Sequence, residues 1–470
     1  MRLWANQKRV ANLSSHKNTY PTGVEVGPQD TAHLTGFFEI RKRKLLAVSG
    51  ALVTALALVG GAESGDRPAA DIPLVPMRLI STASGNLAPP KWTGVLEDGA
   101  KQPSEVAAAQ KMQLLQGLVA VTYNQPSNVY VKESIWASPG QAVPSEEDFI
   151  NLENSIKAAQ ADNYKVCLAV WPYTWGIGKD HLPPPLSPNK RWQYTTLLAT
   201  IDGRLRQDFN TQPGDQPPVS CWFIGNEPDN PTFWRPQFTP EGTDAAAPAY
   251  ERLLARSYDT LKKISPNYIV VGGELASRGN DDPGSKRGSH SPETFIRDMG
   301  QAYRDSGRTE PIMDVFGMHP YGQNSSESPA TPHPNSTTIG EADYPRLVAD
   351  LGKAFDGTAQ VGSKLPILYS EYGVQSLIPG PQRYRYKSKE PEASHAVDEA
   401  TQARYYGQYL GLAACQPNVI GAFLFHTADE RNLKKGWQSG AYYADDAPKT
   451  SRLSIASSMQ ELNDGGTNCN

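Results

Sequence analysis

The sequence predicts a (β/α)8 barrel preceded by an N-terminal leader. Three observations lead there. From residue 71 onward, short apolar strands alternate with amphipathic helices about eight times. Loops that follow strands are long, whereas loops that precede them are short. Polar and ionisable residues gather at the carboxyl ends of the strands. Eight alternations favour a closed barrel over an open doubly wound sheet.

Taken in order, strands are expected at Met77–Ile80, Asn128–Trp136, Lys165–Trp171, Val219–Asn226, Tyr268–Gly273, Met313–His319, Ile367–Glu371 and Ile420–His426. The apolar run Gly117–Thr122 competes with 128–136 for one slot. Helices are expected over 104–116, 146–162, 191–208, 248–263, 292–305, 343–355, 398–414 and 453–463. Ser145 followed by Glu146, Glu147 and Asp148 is a helix start, with acids where the helix dipole favours them. Ser291-Pro292-Glu293 repeats that logic. Helix-to-strand links such as Ser265-Pro266-Asn267 and Gln416-Pro417-Asn418 are short. The strand-to-helix links 172–190, 228–247, 274–291, 320–342 and 372–397 are long. Long loops on one face are how a barrel builds an active-site rim.

The chain has 470 residues and a net charge of −4, which leaves no basic footprint for nucleic acid. Four cysteines are too few for a disulfide scaffold. Cys167 and Cys221 sit inside apolar runs and read as two buried free thiols. Cys415 and Cys469 could staple the C-terminal tail if the chain is exported.

Residues 1–40 are polar, aperiodic and expected to be disordered. In segment 41–70, the basic run Arg41-Lys42-Arg43-Lys44 precedes the apolar stretch Leu45–Ala62, which ends on small residues. That pattern describes a secretory signal. The stretch is at the lower limit for crossing a bilayer, so membrane anchoring through 45–62 is the alternative. Either way, the expected barrel domain, 71–470, lies outside the cytoplasm, secreted or at the cell surface.

The strand ends carry the chemistry. Ser220-Cys221-Trp222-Phe223-Ile224-Gly225-Asn226-Glu227-Pro228 is an apolar strand that ends on an amide and a carboxylate. A buried acid there is costly unless it has a role. Strand 7 ends in Ser370-Glu371-Tyr372-Gly373, and strand 6 in His319-Pro320-Tyr321. Strand 3 ends in Trp171, with Trp175 just beyond, and strand 8 ends in His426. Trp234 lies in a polar loop, where an exposed ring could stack on a sugar, and Trp437 follows strand 8. Two carboxylates facing each other across a barrel mouth can hydrolyse a glycosidic bond. Such a pair needs no metal or cofactor. Aromatic rings suit the apolar faces of sugars.

Ile224-Gly225-Asn226-Glu227-Pro228 resembles the Asn-Glu-Pro acid/base motif of the clan A glycoside hydrolases, which include family 5 cellulases and family 39 enzymes. Ile367-Leu368-Tyr369-Ser370-Glu371-Tyr372-Gly373 resembles the clan's strand-7 nucleophile motif. Phe316-Gly317-Met318-His319-Pro320-Tyr321 is similar to its His-x-Tyr signature. The resemblance spans roughly residues 75–460 and looks closest to secreted actinobacterial cellulase-like proteins. It implies retaining hydrolysis of an oligo- or polysaccharide, with Glu227 as acid/base and Glu371 as nucleophile. It also implies that Asn226 holds the sugar 2-hydroxyl and that Tyr321 or His319 orients the nucleophile. Two departures stand out. The strand-2 arginine of the clan is missing, and Lys132 is the one cation available there. The strand-8 tryptophan is replaced by Phe423-Leu424-Phe425-His426, which leaves Trp437 to supply a ring.

Rival readings remain at this stage. Glu227, His319, Glu371 and His426 could be metal ligands of a barrel hydrolase, although the His-x-His of metal-dependent amidohydrolases is absent. A non-catalytic carbohydrate-binding or wall-associated barrel is the other alternative. Trp171, Trp175 and Trp234 could be packing rings, His426 could merely hold geometry, and Glu274 reads as a supporting acid.

Overall fold

The computed structural model describes residues 92–96, 129–136, 143–161, 164–171, 184–212, 215–387, 395–433, 436–463 and 469. Eight strands close into a parallel barrel in sequence order. They are β1 (Trp92–Leu96), β2 (Val129–Trp136), β3 (Lys165–Trp171), β4 (Cys221–Ile224), β5 (Ile269–Ala276), β6 (Val315–His319), β7 (Ile367–Tyr372) and β8 (Val419–Phe425). The barrel closes where Trp92 of β1 registers with Gly421 of β8. This is the (β/α)8 fold expected from the alternation.

Seven α-helices are described: α1 (Glu146–Ala161), α2 (Pro188–Asp208), α3 (Ala246–Ile264), α4 (Pro292–Asp305), α5 (Tyr344–Phe355), α6 (Glu399–Cys415) and α7 (Arg452–Asn463). Their starts follow local chemistry. The Asp148 amide donates to Ser145 Oγ at 3.1 Å, and the Ser145 amide donates back to Asp148 Oδ2 at 3.0 Å. Each side chain thus satisfies an amide that the helix cannot. Ser187 and Ser291 cap α2 and α4, each with proline in the first turn.

Strand periodicity sorts the core into two layers. Cys221 and Phe223 of β4 point into the barrel with Ala169, Val271, Leu368 and Phe423. Trp222 and Ile224 point outward and pack under the helices. Both faces are buried, which is why parallel strands read as continuous apolar runs.

The expected first strand, Met77–Ile80, lies outside the described residues, and Trp92–Leu96 takes the β1 position. The predicted helix 104–116, the competing run Gly117–Thr122, the leader and the apolar stretch 45–62 also lie outside them. No helix among the described residues is long and apolar enough to cross a membrane.

The cysteine reading needs correction. Cys167 and Cys221 are register partners on β3 and β4, with Cα atoms 4.4 Å apart, and form a disulfide inside the barrel. Strand register, not local sequence, brings them together. Cys415 and Cys469 form the second disulfide. It ties the tail to the end of α6, on the face opposite the strand carboxyl ends. Replacing both Cys415 and Cys469 by alanine should lower the unfolding free energy by about 2–4 kcal/mol, read from urea denaturation, because it frees a long loop in the unfolded chain.

Candidate active site

Glu227 sits just past the end of β4. The chain leaves the strand through Gly225 at φ +84°, and Glu227 itself takes φ +39°. The Tyr250 hydroxyl on α3 satisfies the carbonyl of Ile224 at 2.8 Å. The Glu227 amide donates to the Glu274 carbonyl at 2.8 Å. Its side chain keeps 15% exposure at the barrel mouth. Asn230 donates to Glu227 Oε2 at 2.8 Å, which fixes the rotation of the carboxylate.

Glu371 is on β7 and keeps 12% side-chain exposure. The Tyr321 hydroxyl donates to its Oε1 at 2.8 Å. His319 ends β6, is fully buried, and stands between the two acids. Its Nδ1 lies 3.2 Å from Glu227 Oε1 and 3.6 Å from Glu371 Oε2. Its Nε2 lies 3.4 Å from Glu274 Oε2. The two proposed orienting roles are therefore divided. Tyr321 fixes Glu371 directly, and His319 faces both carboxylates.

Glu274 was not among the candidate site residues, yet it anchors the group. It is fully buried on β5, pairs with the Lys132 ammonium and accepts from Ser370 Oγ at 2.6 Å. Lys132 also lies over the Phe223 ring, 4.2 Å from its centroid. The sequence signal was a lysine on the inward face of β2, two residues after Tyr130 and two before Ser134. Asp229 is also buried and accepts from the Ala276 amide at 3.1 Å. Burial first, and then the charge of Glu227, hold its carboxyl well above the usual range.

The electrostatics follow from this crowding. Burial opposes a charged His319 ring, but Glu371, Glu227 and Glu274 outweigh it and raise its pKa to about 10. Burial would also raise Glu274, yet Lys132 and His319 bring it down to about 2. The pKa of Glu371 is raised, first by burial and further by Glu227, against the opposing charge of His319.

Glu227, His319 and Glu371 each offer a ligand atom within 4.8 Å of the others, close enough to enclose an ion. A metal would need the lone pair on Nδ1. Three surrounding carboxylates favour a proton there instead, so the arrangement is a cation between two acids.

The aromatic candidates separate. Trp437 is 38% exposed and stands 6.0 Å from Tyr321 and 5.6 Å from Phe425, centroid to centroid. Trp171 is half-buried at the end of β3, edge-on to Phe233 at 5.5 Å. Trp234 is only 1% exposed and packs edge-on against Tyr250 at 5.8 Å, so it is a core ring and not a stacking platform. Its polar loop folds back onto α3, which the loop's composition conceals. Trp175 lies outside the described residues. Asn226 is buried at the strand end beside Glu227. His426 is buried just after β8, its ring 3.5 Å from that of Phe425.

No family and no curated relative matches the chain in sequence. Its shape does match solved structures. A family 39 glycoside hydrolase from the gut symbiont Bacteroides cellulosilyticus WH2 aligns with TM-score 0.52 and 16% identity, over 80% of this chain and 64% of that one. The chain shares the (β/α)8 barrel fold of that glycoside hydrolase. A family 5, subfamily 18 enzyme from Bifidobacterium longum subsp. infantis aligns with TM-score 0.51 and 12% identity, over 80% of each chain. A subfamily 18 E153A variant from Streptomyces cattleya, solved with Manβ1-4GlcNAc, aligns with TM-score 0.50 and 13% identity, over 79% of this chain and 80% of that one. The present chain thus spans just under two thirds of the family 39 enzyme.

Two predictions follow from the packing and the charges. A Cβ on Gly317 would sit 1.9 Å from Glu274 Oε1. Gly317→Ala should therefore cost about 1–3 kcal/mol in urea denaturation through overpacking. Stability should also depend on pH at both ends. Glu274, depressed to about 2, stabilises the fold above its unfolded value of 4.5, and that contribution is lost as pH falls towards 2. His319, raised to about 10, stabilises it below 6.5, and that contribution is lost as pH rises through 10. Urea midpoints should plateau between those unfolded values, and His319→Gln should remove the fall on the alkaline side.

Proposed function

We propose that this protein is a retaining glycoside hydrolase. The observation that carries this reading is the approach of Glu227 and Glu371, with a carboxylate oxygen of each within 4.8 Å of the other at the barrel mouth. That spacing suits direct attack on the anomeric carbon, for which about 5–5.5 Å is usual. An inverting pair is usually set roughly 6.5–9.5 Å apart, to leave room for a water.

In this reading Glu371 attacks the anomeric carbon while Glu227 protonates the leaving oxygen. The sugar is then held as an ester on Glu371. Glu227, now a carboxylate, takes a proton from water, and that water displaces Glu371 and restores both groups. Tyr321 holds the attacking carboxylate in line. Asn226 is assigned to the sugar 2-hydroxyl, where hydrogen bonding strengthens in the transition state. Trp437 and Tyr321 offer ring faces beside Glu371, and Trp171 offers one at the end of β3. His426 completes the rim. The proposed substrate is an oligo- or polysaccharide with β linkages. The β-linked disaccharide solved in the Streptomyces cattleya variant supports that choice.

The location is proposed to be extracytoplasmic. The pairing of all four cysteines supports it, because such disulfides persist in oxidising compartments. The basic and apolar pattern over 41–62 supports it as well.

Glycan digestion with product masses identifies the substrate, and variants then test the roles. Glu371→Gln should lower kcat at least ~10³-fold, and Glu227→Gln should do so for substrates with poor leaving groups. Variants as active as the wild type would contradict the reading. Glu371 must be ionised to attack. Activity should therefore be lost as pH falls through a midpoint above the ordinary glutamate value of 4.5, measured as kcat/KM against pH.

A further inference from the structure

We infer that Glu274 is a positioning residue for the proposed hydrolytic centre and acts on both catalytic acids through His319. The inference rests on the hydrolase reading. Glu274 is fully buried and cannot touch a substrate at the mouth. It nevertheless contacts His319, the backbone of Glu227 and the residue before Glu371. Its carbonyl accepts the Glu227 amide at 2.8 Å. Its Oε1 accepts from Ser370, the residue before Glu371, at 2.6 Å. Its Oε2 faces His319 Nε2 at 3.4 Å and is neutralised by Lys132.

The backbone is shaped for this contact. The pairing of β5 with β6 slips between Gly273 and Leu275, and Glu274 takes φ +55° directly after Gly273 at φ +84°. A non-glycine residue at such an angle costs of order 1–3 kcal/mol and persists only where its surroundings hold it. Replacing a buried ion pair with apolar side chains is often neutral or stabilising. Packing alone therefore gives no reason for a strained acid and its buried lysine.

The geometry at His319 supplies the reason. Both ring nitrogens face carboxylate oxygens. A neutral ring would turn one lone pair towards a carboxylate. Only the doubly protonated ring can donate on both sides. Glu274 on the inner side thus selects an imidazolium, whose other N–H lies between Glu227 and Glu371. The ionisable groups facing His319 are Glu227 and Asp229 after β4, Glu274 on β5 and Glu371 on β7, with Lys132 of β2 behind Glu274 and the Tyr321 hydroxyl on the far side of Glu371. Without Glu274 the ring loses its inner partner, and Glu371 loses the nearby cation that favours its ionised form.

The test uses the paired substitution Lys132→Met with Glu274→Gln, because Glu274→Gln alone would leave a buried lysine uncompensated. Two readouts apply. The first is the titration of His319 by NMR of ¹⁵N-histidine-labelled protein, assigned against His319→Gln. The second is the pH profile of kcat/KM. The inference predicts that the folded double variant loses its His319 proton at lower pH than the wild type. It also predicts that kcat/KM falls about 10²-fold and that the acid limb moves up by about one pH unit. A double variant with the wild-type His319 titration and the wild-type acid limb would overturn it and leave Glu274 as a mere charge partner of Lys132. The NMR titration needs no turnover. It decides the inference even if Glu227→Gln and Glu371→Gln leave activity intact and the hydrolase reading falls.

Discussion

Two carboxyl groups with oxygens within 4.8 Å at the mouth of an apolar barrel cannot both ionise without a cation beside them. At an effective dielectric near 20, two full charges at that distance repel by about 3–4 kcal/mol. That is comparable to a large share of a domain's net stability. His319 answers the repulsion from within the barrel, 3.2 Å from one acid and 3.6 Å from the other. Its own charge is answered by Glu274, and that of Glu274 by Lys132. The centre is therefore an alternating stack of charges that runs from the inside of the barrel to its mouth. Each member is costly alone and tolerable in sequence.

The barrel makes such a stack possible. Parallel strands all end on one face, so β4, β5, β6 and β7 deliver Glu227, Glu274, His319 and Glu371 to one place. Residues alternate in and out along a strand, so Lys132 on β2 can reach the same axis from below. Backbone strain gathers at two of these ends. Glu227 and Glu274 both take positive φ, each shortly after a glycine at φ +84°. The two turns are joined by the hydrogen bond from the Glu227 amide to the Glu274 carbonyl. The rigid part of the site is thus a pair of kinked strand ends clipped together.

Much of this was legible in the sequence, and what was not has a common cause. The strand ends around Glu227, His319 and Glu371 were readable because local composition carries them: an apolar run, then a polar residue, then a turn. The bounds of β3 and α4 were likewise set by local signals. Contacts between distant strands were not readable. Cys167 and Cys221 looked like ordinary buried thiols because their pairing depends on the β3–β4 register. Lys132 and Glu274 were each noticed, but their pairing spans the barrel interior. Trp234 looked exposed because its neighbours are polar, whereas its ring turns under the loop onto Tyr250.

The account depends on Glu371 being the nucleophile that bonds to the sugar. The most direct measurement uses a 2-deoxy-2-fluoro glycoside with a good leaving group, followed by peptide mass mapping. The account predicts time-dependent inactivation, with one fluoro-sugar attached to the peptide that contains Glu371. A label on another residue, or turnover of natural substrate with no trapped sugar and inversion of the anomeric centre, would contradict it.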